Sequence, residues 1–295
     1  MNNPKESKKN PMKRSAVARF ALCALCAAWM GSASAAPDAR IAALAAKEKP
    51  ALLQTLNQLV SIESGSRDLD GLDKIAHLIA DKFQALGGQV ELIDPSADAY
   101  RMEDTPEKIG KVVRATFKGT GSKKIMLIAH MDTVYQIGML NKQPFRIEGD
   151  KAYGLGIADD KQGIAVIAHT LALLKAMDFK EYGTLTVLIN GDEEISSPGA
   201  RKLITQLGGE HDVVMSYEGG YIHDDKLSLA TAGIASVTLN VTGKASHAGS
   251  APERGVNALY ELSHQILQMR DLSDPATGLK MNWTISRGKV ASTAP

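Results

Sequence analysis

Residues 124–134 read Lys-Ile-Met-Leu-Ile-Ala-His-Met-Asp-Thr-Val. The five apolar residues 125–129 show no polar alternation, which is typical of a strand buried on both faces of a parallel sheet. His130 and Asp132 follow where this run ends, and functional groups in such sheets collect outside the carboxyl ends of the strands. Two residues two apart on an extended segment point to the same side. The stretch therefore predicts a histidine beside a carboxylate, the usual pairing of a metal-bound histidine, although an isolated H-x-D is more often a strand-end histidine near a solvated aspartate.

Acidic side chains follow the ends of similar segments further along the chain. Another buried strand is predicted at 183–190 and a third strand at 212–217, and a glycine-rich turn at 154–163 precedes an apolar helix. The acidic residues at these ends are Asp159, Asp160, Asp192, Glu193, Glu194 and Glu218. Carboxylates gathered at one sheet edge repel each other unless a cation lies between them. The clusters together therefore predict a site for one divalent cation, or for a pair.

These motifs resemble the di-zinc peptidase family of aminoacylase, acetylornithine deacetylase and succinyl-diaminopimelate desuccinylase. The residues that carry the resemblance are His130-Met-Asp132, Gly156-Ile-Ala-Asp-Asp-Lys161, Asp192-Glu-Glu194 and Glu218. Two further phrases are most similar to the glutamate carboxypeptidase (glucarpidase) branch of that family, namely Pro144-Phe-Arg-Ile-Glu-Gly-Asp-Lys-Ala-Tyr153 and Gly243-Lys-Ala-Ser-His-Ala-Gly249. The resemblance runs from about residue 50 to about residue 286.

The resemblance implies a set of metal ligands. Asp159 would bridge two zinc ions, with a cis peptide bond between Asp159 and Asp160. His130 and Glu218 would complete one zinc site. Glu194 would belong to the other, together with a histidine that family members carry beyond the equivalent of Pro295. We therefore expect two zinc ions per subunit in the complete family fold, and one in this chain.

The resemblance also implies catalytic roles. Asp132 would orient His130, and Glu193 would be the general base beside the ligands. His247, in a turn rich in small residues, would reach into the active site of the partner subunit in a homodimer and stabilise an oxyanion. Without the resemblance, the composition of that turn favours a structural role.

The spacing of apolar residues predicts an α/β fold. Helices are expected within 38–86, at 160–177 and at 198–207, and strands at 90–93 and 112–117 in addition to those above. We expect a mostly parallel sheet with flanking helices, like a zinc exopeptidase, at 36–229. The alternating segments 227–230 and 236–242, a helix at 256–269 and a strand from 281 predict an inserted, incomplete α+β lid or dimerisation domain at 230–295.

Residues 1–35 have the pattern of a signal peptide. A basic segment precedes an apolar one at 20–30, and Ala33-Ser-Ala35 provides small residues for cleavage. Translation could start at Met1 or at Met12. The apolar segment is too short to span a bilayer, so we expect a periplasmic or secreted protein with no stable membrane anchor. Both cysteines, Cys23 and Cys26, lie in this segment, which leaves no thiol or disulfide in the exported chain.

Charge gives little support to nucleic acid binding. Residues 1–35 hold 6 of the 34 basic and 1 of the 33 acidic residues, so the remaining 28 basic and 32 acidic residues have a formal net charge of −4. No basic stripe with interleaved aromatic residues is present. The expected function is zinc-dependent hydrolysis of the amide bond to a C-terminal glutamate, in folate-type or N-acyl amino acid substrates. The alternatives are a related N-acyl amino acid amidohydrolase, and a truncated, inactive remnant that binds one metal ion or dimerises.

Overall fold

The computed structural model describes residues 38–219, 227–284 and 286–288. The chain divides into two compact units between Lys226 and Leu227. The first unit begins with two helices, α1 (Ala39–Val60) and α2 (Leu69–Ala85). Asp38 accepts hydrogen bonds from the N–H groups of Arg40 and Ile41 in α1, and Asp68 accepts one from Gly71 in α2, so each helix starts at an acidic cap. The predicted signal peptide lies outside the described residues.

Five strands follow, and two further helices then alternate with the last two strands. The strands are β1 (Gln89–Ile93), β2 (Val112–Lys118), β3 (Lys124–His130), β4 (Arg146–Glu148), β5 (Lys151–Tyr153), β6 (Thr184–Asn190) and β7 (Val213–Ser216). The helices between them are α3 (Gln162–Ala176) and α4 (Arg201–Glu210). Strands β4 and β5 form a separate hairpin, and the others form one sheet in the order β1-β2-β6-β3-β7.

The sheet is mixed. Strand β3 pairs in parallel with β6 and with β7, whereas β2 is antiparallel to β1 and to β6. The predicted α/β class with flanking helices is confirmed, but parallel pairing is restricted to β6, β3 and β7. The carboxyl ends of these three strands lie at the same edge of the sheet. The acidic residues 192–194 follow β6 there, and Glu218 follows β7.

The main core lies between α1, α2 and α3 and one face of the sheet. Strand β6 is buried from Leu185 to Asn190, as expected for a strand inside the sheet. Alternate residues of β2, Val113 and Ala115, face this core, while Val112 joins a smaller cluster with Leu207 of α4. Truncating a large aliphatic side chain in such a core costs about 2–5 kcal/mol. This packing fixes the register of the strands that carry the site.

The strand predicted at 212–217 is formed as β7, at the edge of the sheet. Its residues Val213, Val214 and Met215 are each 45–48% exposed. Within the described residues, β7 pairs only with β3. The first unit therefore presents apolar side chains and unpaired backbone groups along this edge, a geometry that favours association with other chains.

The second unit contains helix α5 (Ala258–Gln268), close to the prediction of 256–269. The strands predicted at 227–230 and 236–242 are not formed, and these residues are largely exposed. An alternating segment becomes a strand only when another strand pairs with it, and no described segment does so. Residues 281–284 are likewise not in a strand, and residue 285 lies outside the described residues. The boundary predicted at 229/230 and the lid domain stay predictions.

Among the helices in the described part of the chain, none has the combined length and apolar character needed to cross a membrane.

Candidate metal centre

His130 lies at the carboxyl end of β3 and is 1% exposed. Its Nδ1 is 3.1 Å from the backbone oxygen of Asp132 and 3.3 Å from Oδ1 of the same residue. Nδ1 therefore carries a hydrogen that it donates to Asp132, as predicted from the H-x-D spacing. In the neutral ring, Nε2 is then left with a lone pair, which is the tautomer that binds a metal ion.

Carboxylates converge on that lone pair. His130 Nε2 is 2.9 Å from Asp159 Oδ1 and 3.0 Å from Glu218 Oε1. The ligand atoms of these three residues all lie within 4.8 Å of one another. Glu193 Oε2 is slightly further away, at 3.9 Å from the same nitrogen. Acceptor atoms placed this closely are stable only when they share a cation, either a proton or a metal ion.

The pKa values of the residues in this cluster also indicate that it favours an added positive charge. Burial by itself would lower the pKa of His130, but hydrogen bonds to Asp132 and Glu218 oppose it and raise this pKa to about 11. Burial, followed by repulsion from Asp159, raises the pKa of Glu194 to about 7. Burial also raises the pKa of Glu193. The site therefore favours an added positive charge over the fully ionised carboxylates.

The donor set fits a zinc ion. One imidazole nitrogen and two carboxylate oxygens, with room for a further ligand, match the three protein ligands of a catalytic zinc. Asp159 and Glu218 are 64% and 47% exposed at their side chains, so the site is accessible. Within the described residues, His130, Asp159 and Glu218 form the only such group found. Glu194 lies outside it, and its assignment as a ligand of a second zinc stays a prediction.

Asp132 is the centre of the supporting hydrogen bonds and is fully buried. Besides His130, it accepts the backbone N–H groups of Glu193 and Glu194 at 3.0 and 3.1 Å, and the hydroxyl of Ser66 at 2.8 Å. One carboxylate thus holds both the histidine and the turn that carries the predicted base. Sequence analysis did not identify Ser66, because no spacing rule relates residue 66 to residue 132.

The two remaining acidic residues of the motifs have structural positions. Asp160 is buried and accepts the backbone N–H of His130 at 3.3 Å. Asp192 is buried and accepts the N–H groups of Gly199 and Ala200, just before α4. The peptide bond between Asp159 and Asp160 is cis, as the resemblance implied.

His247 belongs to the second unit. Its Nδ1 accepts the backbone N–H groups of Gly249 and Ser250, each at 3.1 Å. The neutral ring therefore carries its hydrogen on Nε2, which is available as a donor. The predicted role across a dimer stays a prediction.

The structure is an α/β domain with a group of residues at the carboxyl ends of its parallel strands that could hold a metal ion. Residues 126–283 match Peptidase family M20/M25/M40. The chain belongs to this family of metal-dependent peptidases.

Individual relatives agree with this assignment. The chain is 46% identical to carboxypeptidase G2 of Pseudomonas sp. (strain RS-16), over 85% of this chain and 59% of that protein. It is 26% identical to a peptidase M20 domain-containing protein of Schizosaccharomyces pombe, over 82% of this chain and 56% of that one. A crystal structure of a Staphylococcus aureus tripeptidase has the same fold, with a TM-score of 0.50 and 24% identity, over 74% of this chain and 56% of that chain. The chain thus spans less than two thirds of the length of these relatives.

Proposed function

We propose that the protein is a zinc-dependent carboxypeptidase that hydrolyses the amide bond to a C-terminal glutamate. The observation that carries the hydrolase proposal is the convergence of Asp159 and Glu218 on His130 Nε2, with Glu193 at 3.9 Å. Support for a carboxypeptidase comes from the 46% identity to carboxypeptidase G2. Folate-type and N-acyl glutamate substrates are the proposed class, and a related N-acyl amino acid amidohydrolase is the alternative.

The chain's own residues provide the other parts of the reaction. A zinc ion, when bound by His130, Asp159 and Glu218, makes water a better nucleophile and polarises the scissile carbonyl. Glu193 is half-exposed at the same place, and we assign it to take a proton from the attacking water and to deliver it to the leaving amine. The carboxylate of Asp132 accepts the backbone N–H of Glu193 and so keeps Glu193 in place.

Further parts of the proposal concern Glu194 and His247. We propose that Glu194 is a ligand of a second zinc ion. We also propose that His247 donates from Nε2 to the oxyanion across a homodimer. Its Nδ1 already accepts two backbone N–H groups, so the hydrogen of the neutral ring is on Nε2. The proposed location is the periplasm or the exterior of the cell, based on the sequence of residues 1–35.

The test compares two adjacent glutamates. In a version of the protein extended to the length of its relatives, Glu193→Gln should lower kcat by about 10²–10⁴-fold, the usual contribution of a general base, and leave zinc content unchanged. Glu194→Gln should reduce zinc content. The assay is turnover of a pteroylglutamate and of a matched N-acyl amino acid lacking the second carboxylate, with zinc measured by mass spectrometry. Loss of zinc in Glu193→Gln alone would reverse the two roles, and equal turnover of both substrates would favour the amidohydrolase.

A further inference from the structure

Lys161 is a buried cation that the proposed mechanism does not use. Its side chain is 1% exposed. Lys161 lies two residues after Asp159, at the end of the turn that carries this aspartate. Its Nζ donates to the backbone oxygen of Ile62 at 2.7 Å. The carboxylate of Glu63 lies close enough to attract the ammonium group, and both residues line one small cavity. A buried ammonium group is tolerated only with such partners, so this contact is a fixed point of the fold.

The segment that Lys161 binds also holds the end of β3 from the other side. Ser64 Oγ donates to the backbone oxygen of Met131 at 2.8 Å, and the backbone N–H of Thr133 donates to the backbone oxygen of Ser64 at 2.9 Å. Ser66 donates to Asp132. Residues 62–66 therefore form a bridge, with Lys161 at one end and the His130–Asp132 pair at the other.

Glu63 extends the bridge to the loop that follows the metal-binding strand. Its carboxylate accepts the N–H groups of Gly138 and Leu140, with distances of 2.8–2.9 Å. Gly138 has a φ of +90°, a conformation that a residue with a Cβ adopts only with strain. Glu63 thus joins this loop to residues 62–66, the segment to which Lys161 donates its hydrogen bond.

The position of Asp159 depends on these backbone contacts, because its own carboxylate makes few contacts that would hold it. Its side chain is 64% exposed, and among the described residues its recorded hydrogen bond is to His130 Nε2. Its position is set by the backbone of the turn. Gly156 starts that turn with a φ of +67° and is so close to Thr133 that a Cβ would collide with the threonine methyl. The N–H of Lys161 closes the turn on the Gly156 oxygen at 3.0 Å.

We infer that Lys161 is a positioning residue, whose buried ammonium group ties the turn that carries Asp159 to residues 62–66 and so sets Asp159 at ligand distance from His130. This inference rests on the proposed metal centre and deepens it. Without the tie, the turn keeps its contact at Thr133 but loses the one at its far end. Asp159 would then occupy a wider range of positions, and the metal site would be less well formed before the ion binds.

The experiment measures Co²⁺ binding to the 295-residue chain by titration and by the visible absorption band of the ion, which reports its ligand geometry. Lys161→Met keeps most of the side-chain volume and removes the charge. We expect about 10–100-fold weaker Co²⁺ binding, the usual effect of losing a group that orients metal ligands, together with a changed absorption band. Lys175→Met is the matched control. Lys175 lies in α3, away from the site, and like Lys161 it donates to a backbone oxygen, that of Ala85 at 3.0 Å. Its Co²⁺ affinity and band should equal those of the unchanged chain.

Two further variants separate positioning from folding. Lys161→Arg keeps the charge and should restore part of the affinity. Glu63→Gln leaves the ammonium in place but removes its counter-charge, and should weaken Co²⁺ binding in the same direction. If folded Lys161→Met binds Co²⁺ with unchanged affinity and an unchanged band, the inference is wrong. If Lys161→Met does not fold by circular dichroism, unchanged affinity in Glu63→Gln overturns it instead. Failure of the unchanged chain to bind Co²⁺ would refute the proposed metal centre itself, which tells the two failures apart.

Discussion

Replacing Asp132 by asparagine tests how the metal centre is held together. Oδ1 of Asp132 faces His130 and the N–H of Glu193, and Oδ2 faces the N–H of Glu194 and the hydroxyl of Ser66. An asparagine has one oxygen and one NH₂ group. With its oxygen at the Oδ1 position, it keeps His130 and Glu193, and the Ser66 hydroxyl can rotate to accept from the NH₂. The N–H of Glu194 then faces another donor and loses its partner.

The expected magnitude follows from that count. One buried N–H without a partner costs about 1–3 kcal/mol, and the lost bond had a charged acceptor. We therefore expect Asp132→Asn to lower the free energy of unfolding by about 1–3 kcal/mol. Metal affinity should fall about 10–100-fold, because the neutral amide orients and polarises His130 less strongly. Chemical denaturation of the metal-free chain and titration with Co²⁺ measure the two effects separately.

A matched control uses another aspartate that contacts a histidine. Asp73, in α2, is about half-exposed, lies 3.5 Å from His77 Nδ1 and forms an ion pair with the partly exposed Lys111. Asp73→Asn should change stability little, because exposed ion pairs contribute little, and it should leave Co²⁺ affinity unchanged. If Asp132→Asn behaves like this control in both measurements, the carboxylate does not organise the site and the reasoning fails.

Two other predictions concern the metal ion and the exported chain. Adding Zn²⁺ at a hundredfold excess over its Kd should stabilise the folded chain by about 2.7 kcal/mol, and His130→Ala should abolish that gain; calorimetry with and without a chelator measures it, and an equal gain in His130→Ala would place the ion elsewhere. The pattern of residues 12–35 predicts cleavage after Ala35 or Ala36 in a bacterial host; N-terminal sequencing of the periplasmic product tests this, and a product that retains Met1 or Met12 would contradict it.

Much of the site could be predicted because its residues follow strands that are recognisable by composition. The apolar run at 125–129 predicts a strand that ends near His130, and the strand observed is Lys124–His130. The same argument places Glu218 just beyond β7. The alternation of apolar and polar residues was a poorer guide, because a strand also needs a neighbouring strand to pair with. The alternating segments 227–230 and 236–242 form no strand in the described residues.

The sequence by itself determined the residue types of the candidate metal centre and their places near strand ends, because local apolar patterns and short spacings set both. Only the tertiary structure decided that β6 lies between β2 and β3, that Ser66 and two amides share Asp132, and that Lys161 is buried against residue 62. These contacts join residues that are 60 to 99 positions apart in the chain. No local pattern specifies such pairs, because each depends on how the helices pack on the sheet and on which buried polar groups then need a partner.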